Sequence, residues 1–250
     1  MVRKFWLVAI LLLAGCVTQT DTPLKEVDKD EVVRRQGDLG IGYLRRAEYG
    51  RAKESLSKAL QYDSRSRLAH TTFGVVFQQE GELALAEDHF KKAIKYEPDL
   101  SQARNNYGAF LFSQKRFREA TAQLQVAADD RFYAARPAVF ENLGRSYMQI
   151  NDLSNAEASF ERAIALNPNQ ARASLELSEI RFGQKRYPES FRLYQQHTSV
   201  SQQSARSLWL CVRLAEIFSN ENDKASCALT LKNIFPASRE FAQYKLRYGP

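Results

Sequence analysis

The chain has 250 residues, 44% of them hydrophobic, with only 11 Gly and 7 Pro, so it can bury a substantial core and lacks the composition of a long disordered protein. Its 36 Lys and Arg exceed its 29 Asp and Glu, which gives a formal net charge of +7. Because no basic run is longer than two residues, this charge indicates solvated surfaces and argues against nucleic-acid binding.

Residues 1–15 have the organisation of a secretion signal. Arg3 and Lys4 precede an apolar stretch, 5–13, which is too short to span a bilayer. The Leu-Ala-Gly-Cys string that ends at Cys16 resembles the lipobox of bacterial lipoproteins, in which the cysteine is acylated and becomes the first mature residue. We therefore predict a signal peptide and lipidation of Cys16. An ordinary cleaved signal and an uncleaved anchor remain the alternatives.

Residues 16–30 are predicted to be the lipidated cysteine followed by a polar tether, since Thr, Gln and Asp dominate the stretch after Val17. By resemblance to lipoproteins, the residue after the cysteine influences sorting, and Val17 is not the Asp that retains many of them at the inner membrane. This resemblance implies attachment to outer-membrane lipid through acylated Cys16, on the periplasmic face.

From residue 31 onward the dominant feature is a 34-residue period, marked by glycines at 40, 74 and 108 and, after a longer turn, at 144. In its clearest copy Phe73, Gly74 and Phe77 share one helix face, and Ala86 and Phe90 share a second. This is the pattern of a tetratricopeptide repeat. We expect these positions to need a residue as small as glycine because two helices approach closely there. The glycines are therefore predicted to have a structural role.

The whole region 31–250 is predicted to be an all-α, right-handed superhelical solenoid of about six tetratricopeptide repeats. The predicted repeats lie near 33–66, 67–100, 101–136, 137–170, 171–204 and 205–239. The fifth departs from the pattern, with Ser178, Arg181 and Ser190 in place of Gly, Tyr and Ala. In the sixth, Ala225 and Leu229 are expected to pack, with a register open by one or two residues.

Cys211 and Cys227 both fall in the sixth repeat, on its two successive helices. An oxidising periplasm permits a disulfide between them if their Cα atoms come within about 7 Å. Two buried free thiols are the alternative.

No catalytic, metal or cofactor motif is present in the sequence. His70, His89 and His197 are far apart and lack neighbours at metal-ligand spacing, and His70 is expected to pack in the first helix of its repeat. The sequence therefore predicts a binding protein, with no enzymatic activity, no metal and no cofactor.

The first helix of each repeat should line the concave face, where peptides bind. Three positions per repeat are expected to face this groove. They are Gly37, Ile41 and Leu44, then Thr71, Val75 and Gln78, then Asn105, Ala109 and Phe112, and then Glu141, Arg145 and Met148. The first half is notably apolar, which favours a protein partner, although the tether or a neighbouring side chain is an alternative cover. Leu44 is expected to face out of the core, so that Leu44→Glu would leave folding largely intact.

The lipobox, six repeats and several strings together resemble the PilF/PilW family of pilotins of type IV pilus biogenesis. The strings are Leu-Gly-Ile-Gly-Tyr-Leu at 39–44, Asn-Asn-Tyr-Gly at 105–108, Val-Phe-Glu-Asn-Leu-Gly at 139–144 and Ala-Arg-Ser-Leu at 205–208. The resemblance implies an outer-membrane lipoprotein that binds the pilus secretin subunit and promotes its outer-membrane localisation and multimer assembly, as pilus biogenesis and twitching motility require.

A general periplasmic scaffold lipoprotein, which gathers peptidoglycan enzymes or outer-membrane assembly factors, would carry the same repeats and lipobox, and it remains the alternative function. In either case we expect the solenoid to be monomeric and to bind protein rather than nucleic acid.

Overall fold

A computed structural model describes residues 28–249, and the signal peptide, Cys16 and the tether up to residue 27 lie outside the described residues. The described chain consists of thirteen α-helices joined by short turns. They are α1 (Lys29–Arg45), α2 (Tyr49–Tyr62), α3 (Arg67–Glu80), α4 (Leu83–Tyr96), α5 (Ser101–Ser113), α6 (Phe117–Asp129), α7 (Arg136–Gln149), α8 (Leu153–Leu166), α9 (Ala171–Gly183), α10 (Tyr187–Val200), α11 (Ala205–Ile217), α12 (Glu221–Ile234) and α13 (Arg239–Tyr248).

The first twelve helices form six antiparallel pairs that stack in sequence order, as a tetratricopeptide superhelix. The first helices of successive pairs contact one another from α1 through α9, and each second helix packs on the first helix of the next pair. No second helix packs comparably on the second helix of the next pair among the described residues. The first helices therefore line the inside of the superhelix, and their solvent-facing surface is the concave face.

A thirteenth helix, which the repeat pattern did not predict, follows the sixth pair. Helix α13 buries Phe241 and packs Tyr244 and Tyr248 edge-on against Trp209 of α11, at ring-centroid distances of 6.5 and 6.4 Å. A terminal repeat has no neighbour to cover its apolar face. Helix α13 takes the place of that neighbour.

Prolines and a left-handed turn residue set the ends of the helices. Helices α4, α8 and α12 end two residues before a proline, at positions 98, 168 and 236.

Between the two helices of every pair, one residue adopts a positive φ, and only the second of the six is glycine. These residues are Ala47, Gly81, Lys115, Asn151, Lys185 and Ser219. The same turn thus recurs in all six pairs, including the two whose sequence departs most from the pattern.

The glycines of the repeat pattern make room for a side chain rather than for a backbone. A Cβ at Gly74 would lie 2.6 Å from the ring of Phe90, and one at Gly144 would lie 2.7 Å from the ring of Phe160. Leu56 and Leu124 stand in the same relation to Gly40 and Gly108. The expected close approach is present, but the large side chain of the second helix is what requires it.

In the fifth pair, polar contacts join the two helices at the positions where the first four pairs use glycine and alanine. The Ser178 hydroxyl donates to the Ser190 carbonyl oxygen at 2.6 Å, and the Ser190 hydroxyl donates to the Ser178 carbonyl oxygen at 2.8 Å. Both serines are completely buried. The departures from the repeat pattern therefore form a reciprocal hydrogen-bonded joint between α9 and α10.

The sixth pair settles the register that the sequence left open. Ala225 and Leu229 are exposed, so their expected packing role was wrong, and α12 instead buries Cys227, Ala228 and Leu231. The Cα atoms of Cys211 and Cys227 are 6.2 Å apart, and the two residues form a disulfide between α11 and α12.

The longer turn between α6 and α7 is held rigidly by side chains. Asp130 accepts hydrogen bonds from the Ser101 hydroxyl at 2.7 Å and from the Phe132 backbone N–H at 2.9 Å. Arg136 Nε donates to the Ala128 carbonyl oxygen at 2.7 Å. The two additional residues are thus accommodated in an ordered turn, from which Phe132 projects with 98% of its surface exposed.

Candidate functional site: the concave face

The concave face is built from three positions on each first helix, four or three residues apart, so that all three lie on one side of the helix. At the middle position the six pairs carry, in order, Ile41, Val75, Ala109, Arg145, Glu179 and Arg213. The face is therefore apolar over the first three pairs and charged over the last three.

In the first pair the structure corrects two expectations about the groove. Gly37 is buried, and a Cβ there would lie 2.7 Å from Leu68 Cδ2, so this residue marks the contact of α1 with α3 and gives the groove no accessible surface. Leu44 packs against the core cluster that includes Leu56, and it does not face out of the core. Ile41 is also half-buried, but it belongs to none of the core clusters of the described residues, so it is the apolar side chain of this pair that the core does not use.

In the second and third pairs the predicted groove residues differ in exposure. Thr71 is buried and gives the groove no accessible surface, and Ala109 is exposed. The other four are half-buried: Val75, Gln78, Asn105 and Phe112. Val75 and Phe112 both pack against the core cluster of Phe90 and Leu111, and part of each side chain remains accessible to solvent. Gln78 is half-buried and lies outside the core clusters. The apolar part of the concave face is thus a shallow, firmly supported surface.

Asn105 has a structural partner on the next first helix. Its side-chain oxygen accepts a hydrogen bond from Asn142 Nδ2 at 3.2 Å, which joins α5 to α7. Asn105 is half-buried, so part of its side chain contributes to the surface of the concave face.

Ion pairs across successive first helices dominate the charged half. Arg206 donates to both carboxylate oxygens of Glu176, at 2.7 and 3.0 Å, and Arg213 Nη2 donates to Glu179 at 2.7 Å. Both pairs bridge α9 and α11, which approach each other less closely than the earlier first helices do. The sequence could have suggested these bridges, because each pair is separated by close to one repeat length.

Aromatic rings support two arginines of the concave face. The guanidinium carbon of Arg213 lies 4.6 Å from the centre of the Phe182 ring and 5.5 Å from that of Trp209. That of Arg145 lies 4.4 Å from the centre of the Phe112 ring. A guanidinium that stacks on an aromatic face is attracted by the ring quadrupole and is held in one orientation.

Away from the concave face, buried His70 and half-buried His89 form a pair between α3 and α4. Their Nδ1 atoms are 3.0 Å apart, and His70 Nε2 lies 3.2 Å from the Ser64 carbonyl oxygen. Burial lowers the pKa of both imidazoles, that of His89 to about 4, and the charge of Lys92 lowers them further. His70 therefore packs as expected, but its contact with His89 was not predicted.

Residues 28–249 contain no cluster of three or more potential metal-ligating side chains. None of the helices in that range combines the length and the apolar character that a bilayer span needs.

A family model of the tetratricopeptide repeat matches residues 71–137 and 142–204, about half of the chain. The type IV pilus assembly protein PilF of Pseudomonas aeruginosa is 38% identical over 235 residues, which make 93% of this chain and 93% of that protein. An uncharacterized protein of Haemophilus influenzae is 29% identical over 132 residues, which make 53% of this chain and 72% of that protein.

Solved structures agree with the sequence relatives. The structure of Pseudomonas aeruginosa PilF superimposes with a TM-score of 0.86 at 36% identity, over 88% of this chain and 99% of that one. The crystal structure of PilW, a widely conserved type IV pilus biogenesis factor, gives a TM-score of 0.73 at 24% identity, over 86% of this chain and 98% of that one. The second likeness, at its lower identity, shows a shared fold.

Proposed function

Since the chain belongs to the PilF family of tetratricopeptide-repeat proteins of type IV pilus biogenesis, we propose that it acts in the assembly of type IV pili as an outer-membrane lipoprotein. In this proposal acylated Cys16 anchors the protein at the periplasmic face, and the concave face binds a segment of the pilus secretin subunit. Binding promotes the outer-membrane localisation of the secretin and its assembly into multimers, without any catalytic step.

The observation that carries the proposal is the apolar concave surface of the first three pairs. Ile41, Val75 and Phe112 lie on successive first helices and are each partly open to solvent. Partly buried apolar side chains aligned along a concave surface are typical of peptide-binding grooves. Because core packing supports Val75 and Phe112 from behind, a bound segment would meet a preformed surface.

The two parts of the proposed mechanism reinforce each other. A lipidated tether confines the repeats close to one membrane, and this confinement raises the effective concentration of the groove for secretin subunits that reach that membrane. An apolar segment held in the groove is also kept from aggregating before the multimer forms.

Ile41→Glu tests the groove. Ile41 contributes to no core cluster, so the substitution should preserve the fold while placing a charge in the binding surface. We expect loss of secretin binding in a pull-down and loss of heat-resistant secretin multimers from the outer-membrane fraction. Leu85→Glu is the matched control, because Leu85 is 46% exposed on α4, a second helix, away from the concave face.

Equal secretin multimers in the Ile41→Glu and wild-type strains would show that this surface is not the binding site. Normal multimers in a strain that lacks the protein would overturn the proposed function itself. The anchor is tested by Cys16→Ala, which should leave binding in vitro intact and misplace the multimers in the cell.

A further inference from the structure

Arg145 and Arg213 occupy the same position in the fourth and sixth pairs, but only Arg213 has a carboxylate partner. Arg213 stacks over Phe182 and donates to Glu179, which holds the equivalent position one pair earlier. Arg145 stacks over Phe112 in the same manner, at 4.4 Å. One pair earlier than Arg145, however, the residue is Ala109, which is exposed. Arg145 therefore has the aromatic support of Arg213 without its carboxylate.

No carboxylate of the described chain makes a direct contact with Arg145 in place of the missing one. Within residues 28–249 Arg145 forms no ion pair and donates no side-chain hydrogen bond, although it is half-buried. Glu141 lies one turn earlier on the same helix but accepts a hydrogen bond from the Ala173 N–H at 3.3 Å and pairs with Arg172 at 3.8 Å. The guanidinium of Arg145 thus keeps its donors available on the concave face.

The electrostatic surroundings of Arg145 are those of a cation that is only partly compensated. Burial lowers the pKa of its guanidinium and the neighbouring charge of Arg172 lowers it further, whereas the more distant charges of Glu141 and Glu176 raise it without prevailing. The opposite holds for Arg206, whose pKa is raised because it donates to Glu176. Desolvating a cation is unfavourable unless an anion compensates it.

We propose that Arg145 is the receptor for a carboxylate of the bound partner segment, with Ala109 leaving the space in which that carboxylate lies. The inference rests on the proposed peptide-binding role of the concave face. The partner is then an extended polypeptide segment with an Asp or Glu side chain, or a C-terminal carboxylate, next to apolar residues. The carboxylate lies at the boundary of the two halves of the face, and the apolar residues lie along the first three pairs.

The geometry suits this ligand class. A guanidinium donates two parallel N–H groups to a carboxylate, and such charge-assisted pairs are both stronger and more directional than neutral hydrogen bonds. Phe112, on which Arg145 lies, is itself fixed by an edge-on contact with Phe117 at a ring-centroid distance of 5.2 Å. The donor is therefore oriented before the partner arrives, which reduces the entropy lost on binding.

Selection of a random twelve-residue peptide library on the full chain tests the inference without assuming the identity of the partner. We expect the enriched peptides to carry Asp or Glu next to apolar residues. Their affinity should fall about tenfold or more in Arg145→Gln, because a charge-assisted hydrogen bond is lost. Replacing the peptide acid by its amide should cost the same factor in wild type and nothing further in Arg145→Gln.

Ala109 offers a second variant that leaves Arg145 in place. Ala109→Glu supplies within the chain the carboxylate that Glu179 supplies to Arg213, so it should weaken peptide binding as strongly as Arg145→Gln does. Ala109→Gln fills the same space without a charge, so it should also weaken binding, whereas Ala109→Ser leaves the space open and should change the affinity less than about twofold. Enriched peptides without acidic residues, or equal affinity in wild type and Arg145→Gln, would overturn the inference.

Peptides that tile the periplasmic part of the pilus secretin separate this inference from the proposed function. If none of them binds while the library peptides behave as expected, the carboxylate receptor stands and the secretin assignment fails. If secretin peptides bind equally well to wild type, Arg145→Gln and Ala109→Glu, the secretin assignment stands and the receptor is refuted.

Discussion

The two halves of the concave face use the same backbone positions for different purposes. In the first three pairs the middle positions carry Ile41, Val75 and Ala109, and the first helices pack directly on one another. In the last three pairs they carry Arg145, Glu179 and Arg213, and α9 and α11 are bridged mainly by ion pairs. The inner face of a repeat can therefore either stay apolar and accessible or form ion pairs with its own neighbour.

The difference extends to how tightly the pairs are joined. A cavity of about 600 Å³ opens where α10 meets α11 and α12. Polar side chains, among them that of Asp223, line it together with Phe191, Leu214, Phe218 and both cysteines. Ion pairs between α9 and α11 and the disulfide between α11 and α12 thus connect helices between which apolar packing is less complete. We infer that the second half depends on a few specific side chains, whereas the stability of the first half is spread over many apolar contacts. The predictions below test this contrast.

The largest effect is expected at Arg181, in the fifth pair. Arg181 is only 3% exposed, and its guanidinium pairs with Glu157, Glu161 and Glu189. Arg181→Ala removes a buried cation and leaves three carboxylates without it, so the free energy of unfolding should fall by about 3–5 kcal/mol. Urea unfolding followed by circular dichroism measures this change. Arg186→Ala is the control, because Arg186 pairs with two of these carboxylates, those of Glu157 and Glu189, from an exposed position and should have little effect. Similar losses in both variants would contradict the buried-network account.

Opening the disulfide should have the next largest effect, confined to the end of the solenoid. Cys211 and Cys227 are 16 residues apart, and cross-linking a loop of that length stabilises a protein by about 3 kcal/mol. In the Cys211→Ser, Cys227→Ser double variant, backbone amides of α11 and α12 should exchange hydrogen faster, while those of α3 and α4 should keep their protection. Hydrogen exchange with mass spectrometry resolves the two regions. Uniformly faster exchange would mean that the solenoid unfolds as one unit.

A smaller effect should distinguish the two stacked arginines of the concave face. Arg213→Gln leaves Glu179 without its ion pair, so the unfolding free energy should fall by about 1–2 kcal/mol. Arg145→Gln breaks no ion pair of the described chain and removes a half-buried charge, so the change should stay within about 0.5 kcal/mol or be stabilising. Thermal unfolding of the two variants in parallel provides the measurement. An equal loss in both would mean that Arg145 has a structural partner after all.

The smallest effect near neutral pH is expected from the histidine pair of the first half. The pKa of His89 is lowered from its ordinary value near 6.5 to about 4 because the imidazole is buried and faces His70; Asp88 opposes this shift and Lys92 adds to it. Between about pH 6.5 and pH 4 the histidine takes up a proton in the unfolded chain but stays neutral in the folded protein. Its contribution to the free energy of unfolding is therefore fully present above pH 6.5 and is lost as the pH falls towards 4.

Between pH 7 and pH 6 the loss of unfolding free energy due to His89 should be less than about 1 kcal/mol. His89→Gln should flatten this part of the pH profile, as measured by urea unfolding at a series of pH values. A profile with the same slope in the variant would exclude His89 as the source.

Much of the architecture could be predicted from the sequence because the period is local and repeated. Gly74 with Phe90 and Gly144 with Phe160 pack as the repeat pattern implies, and the ordered turn before Pro137 lies where the period lengthens. The expectation that Leu44 faces out of the core failed because one helix face serves both the core and the groove, and the boundary depends on how neighbouring helices sit. Helix α13 was missed because it lies beyond the last copy of the repeat.

The sequence by itself determined the helical class, the number of pairs, the order of apolar and charged residues along the concave face and, through its relatives, the family. Only the tertiary structure decided that Cys211 meets Cys227, that Glu179 pairs with Arg213, and that Arg145 is left without a carboxylate. The physical reason is one of range. Helix periodicity and turn chemistry act over a few residues, whereas ion pairs and disulfides depend on distances of a few ångströms between helices that are far apart in the chain.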